Sequence, residues 1–179
     1  MRLGFVVKPL ARPELKSHDS RRWQNRPHLT VSLAYLRDVF GYLKSAGITM
    51  YRMSSDLAPY ASHPDMPQFR NQVEESAAEL AELGTLAREP GLRLSFHAVA
   101  ATVINSPDPR VAVNAATDLT VLAAILDGMG LGPEAVVVTH IGGAYGSPET
   151  ARERCVQAID ALPPPTRSRL VIENDDVRF

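Results

Sequence analysis

Short apolar runs alternate with longer segments of helical periodicity along the whole sequence, and this alternation limits the fold more than any other feature. Five mostly apolar runs are predicted as strands, at residues 3–7, 49–54, 92–97, 135–140 and 169–174. Continuous rather than alternating apolar character is typical of parallel strands that are buried on both faces. The sequence therefore predicts an α/β fold built from repeated strand–helix units.

Apolar residues at helical spacing predict a helix in each interval between the strands, over 33–43, 73–87, 112–128 and 151–162. Gly47 is expected to end the first of these helices, and the run Pro163-Pro164-Pro165 to end the last.

Two architectures contain such units, an open doubly wound sheet and a closed (β/α)₈ barrel. A TIM barrel typically takes about 250 residues. The 179 residues of this chain are therefore expected to be either a complete open sheet or about the first five βα units of a TIM-barrel-type α/β fold. In both cases residues 1–179 are expected to form a single domain.

Composition excludes several classes of protein. The chain has 45% apolar and 22% charged residues, which is typical of a globular domain and not of a disordered chain. Cys155 is the one cysteine, so an internal disulfide is excluded and a packed thiol is expected. No run approaches the ~20 consecutive apolar residues of a membrane span, so no membrane anchor and a cytoplasmic location are expected. The net charge of −1 argues against general polyanion binding, although a local basic patch is compatible with it.

Residues with metal-ligand chemistry end three of the predicted strands. His97, His140 and Glu173 each lie at or next to the carboxyl end of an otherwise apolar run. In parallel α/β proteins these ends meet on the face that carries the active site. Imidazole and carboxylate groups together suit zinc or manganese. A single histidine would be more typical of a structural hydrogen bond, but three such residues in equivalent positions favour a metal or catalytic site.

Three loops carry weaker signals. His63 follows the second strand, where a surface histidine is the simpler interpretation. The segment 18–28 combines arginines with Trp23 and fits either a solvated loop or a contact to phosphates. The loop Gly142–Gly146 could direct backbone N–H groups at an anion, although an ordinary strand–helix loop is favoured by a small margin.

A series of short strings, in order along the whole chain, resembles the ultraviolet damage endonuclease family. The strings are RLGF at 2–5, RMSSDL at 52–57, ASHP at 61–64, LRLSFH at 92–97, NSPDP at 105–109, HIGGAYG at 140–146 and ENDD at 173–176. No single string is specific, but their order and spacing are.

The resemblance implies the N-terminal part of a TIM barrel related to the endonuclease-four and xylose-isomerase group, with divalent metal ions. Manganese is the expected metal, with zinc or magnesium as alternatives. Family members cut double-stranded DNA immediately 5′ of ultraviolet photoproducts by metal-assisted phosphodiester hydrolysis. By position, His97, His140 and Glu173 match metal ligands of the family, and His63 matches another active-site histidine and is expected to be catalytic.

The sequence departs from the family pattern in three places. The family's Pro-Gly-Gln-Tyr after the third-strand histidine, whose Gln and Tyr probe damaged DNA, is replaced so that Ala100 and Ala101 stand where Gln and Tyr are expected. Phe5 replaces a tyrosine. The family's further ligands come from strands beyond the fifth, so the three ligands here are expected to hold one metal and not a three-metal cluster.

Three functions therefore compete. The first is a repair endonuclease whose activity resides in a longer parent protein. The second, suggested by Ala100 and Ala101, is a sugar-isomerase-like or other small-molecule enzyme that depends on a metal. The third is an inactive half-barrel that forms a homo-oligomer or serves as a binding module.

Overall fold

The computed structural model describes residues 2–173, which form a five-stranded parallel sheet and six α-helices. The strands are β1 (Gly4–Val6), β2 (Met50–Arg52), β3 (Arg93–His97), β4 (Val136–His140) and β5 (Leu170–Glu173). The helices are α1 (Leu29–Ser45), α2 (Gln72–Glu75), α3 (Ala77–Arg88), α4 (Pro109–Gly128), α5 (Pro148–Asp160) and α6 (Pro164–Arg169). The predicted strand end at 174 and the acidic positions 175 and 176 lie outside the described residues.

The order of the strands in the sheet decides between the two predicted architectures. The order is β1-β2-β3-β4-β5, and every neighbouring pair is parallel. A doubly wound sheet reverses its direction at a switch point, whereas a barrel adds each new strand on the same side of the previous one. The strictly sequential order is therefore that of a barrel-type sheet.

The two faces of the sheet differ in burial. On β3, Leu94 and Phe96 are fully buried in the core, whereas Ser95 between them and His97 beyond them are only partly covered. The same alternation places Tyr51 of β2 and Val137 of β4 in the core. The prediction that the strands are buried on both faces is therefore wrong for residues 2–173, because the helices cover one face and the other carries the polar strand ends.

One helix prediction is wrong, and a second gave only part of what the structure shows. The predicted helix over 73–87 is two helices, α2 and α3, because the backbone of Ser76 leaves the helical conformation between them. The run Pro163-Pro164-Pro165, expected only to stop a helix, also begins α6. Proline is accepted in the first helical turn because its missing N–H has no intrahelical partner there.

Helix α4 is long and apolar enough to meet the criteria for a membrane span, which is weak evidence because core helices of globular proteins meet the same criteria. It packs against α3, α6 and β4. Leu119, Ile125 and Leu126 on this helix are completely buried in the core. We therefore interpret α4 as a core helix.

Cys155 of α5 is also buried, as predicted for a packed thiol, and burial raises the pKa of this thiol.

Arg169 joins the start of β5 to the neighbouring unit. Its guanidinium is almost fully buried and forms an ion pair of 2.7 Å with Asp127 at the end of α4. It also donates hydrogen bonds to the carbonyls of Leu131, Gly132 and Ala135, at 2.9, 2.6 and 2.9 Å. Since these carbonyls precede β4, the contacts fix β5 against β4 four residues before Glu173.

Replacement of Arg169 should lower the stability of the whole domain. We expect Arg169→Met to lower the free energy of unfolding by about 3 kcal/mol, because it leaves buried carbonyls and the Asp127 carboxylate without their donor. Arg167→Met is the matched control, since Arg167 is exposed on the same helix, and should change the free energy by at most about 0.5 kcal/mol. Urea unfolding followed by circular dichroism measures both, and equal losses would contradict the assignment.

Candidate metal centre

His97, His140 and Glu173 converge at the carboxyl ends of three adjacent strands. In the β4–β5 register His140 is paired with Glu173, and in the β3–β4 register His97 is paired with Val138 of the strand that carries His140. One ligand atom from each residue lies within 4.8 Å of the other two. Glu173 Oε2 is 2.8 Å from His97 Nε2 and 3.9 Å from His140 Nε2.

The hydrogen bonds of His97 define which ring nitrogen faces the centre. Nδ1 lies 2.9 Å from the carbonyl oxygen of Ala98, and a carbonyl can only accept, so Nδ1 carries a proton. In a neutral ring Nε2 then directs a lone pair at the Glu173 carboxylate, 2.8 Å away. Two lone-pair groups at that distance repel each other unless a second ring proton lies between them or a metal ion binds both.

His140 and Glu173 complete a donor set that fits a divalent metal. Nδ1 of His140 is buried and has no hydrogen-bond partner among residues 2–173. The contact with His97 lowers the pKa of Glu173, and nearby positive charge at His140, His97 and Arg52 lowers it further, against a smaller opposing effect of desolvation. Two imidazoles and an ionised carboxylate are ligands that zinc and manganese accept.

His63 is not a member of this cluster. It is in the β2–α2 connection, where its Nδ1 accepts a hydrogen bond from the backbone N–H of Asp65 at 3.2 Å. Its ring lines a cavity of about 480 Å³ together with His18 and Asp118. Within the described residues, the cavity lining does not include His97, His140 or Glu173, so the catalytic role of His63 stays a prediction.

Two of the three departures from the family pattern, at Phe5 and at Ala100 and Ala101, lie in different environments. Ala100 and Ala101 are exposed in the loop after β3 and present only methyl groups there. Phe5 shares the face of Tyr51 in the β1–β2 register and packs edge-on against its ring, with centroids 5.3 Å apart. The position of the missing hydroxyl at Phe5 is therefore on the helix-covered face of the sheet, whereas Ala100 and Ala101 border the face that carries the cluster.

The Gly142–Gly146 loop after His140 is held by a residue that the sequence analysis did not single out. Asn105 is completely buried, and its Nδ2 donates to the carbonyl of Gly143 at 3.0 Å. The backbone carbonyl of Asn105 accepts from Arg154 Nε at 3.0 Å, and the Arg154 guanidinium lies 5.7 Å from the ring centre of Tyr145. The string NSPDP contained Asn105, but nothing in the sequence related it to Arg154.

The close packing of Gly142 on Asn105 gives a testable prediction. Gly142 has φ of +106°, and a Cβ there would overlap Asn105 Oδ1 and lie 2.7 Å from Val103 Cγ1. Gly146 also has a positive φ, of +94°, but open space around it. We expect Gly142→Ala to lower the free energy of unfolding by about 1 to 3 kcal/mol more than Gly146→Ala.

Urea unfolding gives this difference, and amide hydrogen exchange over 141–147 shows whether the loss is local to the loop. Equal effects of the two substitutions would show that only backbone strain matters and that the contact with Asn105 does not.

Comparison with known proteins places these features in a family. The sequence profile of the family described as UV-endonuclease UvdE matches residues 13–179. The UV DNA damage endonuclease of Bacillus velezensis is 35% identical over 170 residues, which cover 95% of this chain and 51% of that protein. The enzyme of the same name from Bacillus pumilus is 37% identical over 135 residues, covering 75% of this chain and 42% of that protein.

A solved structure gives the same result. The crystal structure of SacUVDE superposes with a TM-score of 0.88 at 27% sequence identity, over 100% of this chain and 62% of that chain. The predicted TIM-barrel-type fold is thereby confirmed, and the chain spans about half the length of the curated relatives it matches. Because the family profile extends over almost the whole sequence and the fold agrees, the chain belongs to the UV-endonuclease UvdE family.

Proposed function

We propose that the cluster of His97, His140 and Glu173 binds a divalent metal ion, with manganese as the preferred ion. In this proposal the chain takes part in hydrolysis of the phosphodiester bond 5′ of ultraviolet photoproducts in double-stranded DNA. The convergence of three ligand atoms within 4.8 Å carries the metal assignment. Membership of the UV-endonuclease family supports the reaction and the substrate. Such a substrate agrees with the predicted cytoplasmic location.

The residues of the cluster have distinct tasks in this proposal. A bound divalent cation supplies Lewis-acid stabilisation of negative charge on the phosphate and makes a nearby water more acidic. The carbonyl of Ala98 holds His97 in the tautomer whose Nε2 is free to act as a ligand. Glu173 contributes negative charge, and Arg52 at the end of β2 is close enough to influence it electrostatically. Arg52 also offers a cation to an incoming phosphate group.

A metal-dependent small-molecule enzyme is the second candidate. The exposed methyl groups of Ala100 and Ala101 favour it, because alanine can neither stack on a base nor hydrogen-bond to one. A DNA enzyme should bind duplex DNA with an affinity that falls steeply with salt, since phosphate contacts release counterions. A sugar-isomerase-like enzyme should instead bind small polyols without that salt dependence.

Metal binding tests the assignment of the cluster. We expect the chain to bind Mn²⁺ in calorimetric titration, and Glu173→Gln to weaken this binding at least tenfold, because the amide removes the charged ligand. Glu153→Gln is the matched control, since Glu153 is exposed on α5. Unchanged affinity in Glu173→Gln, or no Mn²⁺ binding by the unsubstituted chain, would refute the assignment.

Activity tests the role of His63 separately. Because the repair activity is expected to reside in a longer parent protein, the assay uses a longer protein that contains this chain. With Mn²⁺, it is expected to nick irradiated supercoiled plasmid and to spare plasmid that was not irradiated. His63→Ala should lower this nicking by about 100-fold or more, the usual size of an acid–base contribution, without changing the affinity for Mn²⁺. Intact irradiated plasmid would count against the repair function, and full activity of His63→Ala against a catalytic His63.

A further inference from the structure

The connection between β1 and α1, residues 7–28, concentrates positive charge in a chain whose net charge is −1. It contains two acidic residues, Glu14 and Asp19, and six basic ones: Lys8, Arg12, Lys16, Arg21, Arg22 and Arg26. The connection leaves the carboxyl end of β1, which is the end of the parallel sheet where His97, His140 and Glu173 converge. The local basic patch that the composition allowed is therefore on the face of the candidate metal centre.

Several of these cations already have partners. Arg12 pairs with Glu14, Lys16 lies over the ring of Tyr35, and Arg21 pairs with Asp19. Within residues 2–173, Arg22 and Arg26 form no ion pair, and both are exposed. They flank Trp23, whose surface is 47% exposed. Residues 22–26 are called the Trp23 excursion below.

The Trp23 excursion is held in one conformation by Asp19. This carboxylate is almost completely buried and accepts hydrogen bonds from Arg21 Nε and Nη2, at 2.8 and 2.6 Å, and from the backbone N–H of His28 at 3.0 Å. These contacts, led by the hydrogen bonds from Arg21, lower the pKa of Asp19 below its usual range. Because Asp19 joins both ends of the excursion, little conformational entropy is lost when a partner binds it.

The excursion borders a groove whose other side belongs to the connection that carries His63. Trp23 and Arg26 line a groove of about 620 Å³ together with Gln68 and Phe69. Gln68 and Phe69 belong to the β2–α2 connection, which also carries His63. A large exposed aromatic ring between two cations is complementary to a nucleic acid, because guanidinium groups bind its phosphates and an indole ring stacks on its nucleotides.

We propose that the Trp23 excursion is a DNA-docking element, in which Arg22 and Arg26 contact backbone phosphates and Trp23 packs against a nucleotide. The inference rests on the proposed function, since it takes DNA as the substrate. It adds a contact surface outside the metal centre and assigns each of the three residues a separate, measurable contribution.

The phosphate contacts are tested by the salt dependence of binding. Fluorescence anisotropy with a labelled 20-base-pair duplex gives the affinity between 50 and 200 mM salt. Arg22→Ala/Arg26→Ala is expected to reduce the slope of log affinity against log salt by about two and to weaken binding at least tenfold. Lys44→Ala/Arg167→Ala removes the same charge from the opposite end of the sheet, at the end of α1 and on α6, and should leave the slope nearly unchanged.

The stacking contact has an independent optical readout, because Trp23 is the one tryptophan of the chain. Addition of the unlabelled duplex should quench its fluorescence. Trp23→Ala should weaken binding about tenfold with an unchanged salt slope, since stacking involves no counterion. Circular dichroism verifies that these variants remain folded, as expected for exposed positions.

The outcomes separate this inference from the proposed function. An unchanged salt slope in Arg22→Ala/Arg26→Ala, together with unquenched Trp23 fluorescence, overturns the docking element and leaves metal-dependent DNA hydrolysis standing. Absence of salt-dependent DNA binding by the unsubstituted protein overturns both. Salt-dependent binding with the expected losses, but without Mn²⁺ binding, supports the docking element and refutes the metal assignment.

Discussion

The pairing of β5 with β4 is the constraint on which the candidate site depends. Glu173 can face both imidazoles only if it lies beside His140, and the parallel register provides this arrangement. A shift of one residue would turn the carboxylate to the helix-covered face, because strand side chains alternate between faces. Arg169 opposes such a shift from the other end of the strand, where its hydrogen bonds hold β5 against the segment before β4.

Much of this arrangement could be predicted from the sequence because it repeats a local pattern. An apolar run that ends in a ligand-type residue occurs at His97, His140 and Glu173, and parallel strands bring such ends together. Periodicity alone could not decide between the two architectures, because βα alternation is common to both. The family resemblance predicted the barrel type, and the order of the strands in the sheet agrees with it. The contact of Asn105 with Arg154 was also missed, since it joins residues 49 positions apart without a shared pattern.

The distribution of charge was also harder to predict than the total charge. A net charge of −1 suggested little affinity for nucleic acid, yet the β1–α1 connection holds six basic residues against two acidic ones on one face. Which cations are free to meet a partner depends on contacts such as those of Arg21 with Asp19. Only the folded structure distinguishes Arg22 and Arg26 from their paired neighbours.

The hydrogen bond from His97 to Ala98 uses a main-chain carbonyl, which every amino acid at position 98 would supply. The orientation of His97 therefore does not depend on which side chains follow it. The loop after β3 can therefore change its side chains, as it has at Ala100 and Ala101, without turning the imidazole away from Glu173. Evolution could in this way alter what the loop recognises while it preserves the geometry beneath.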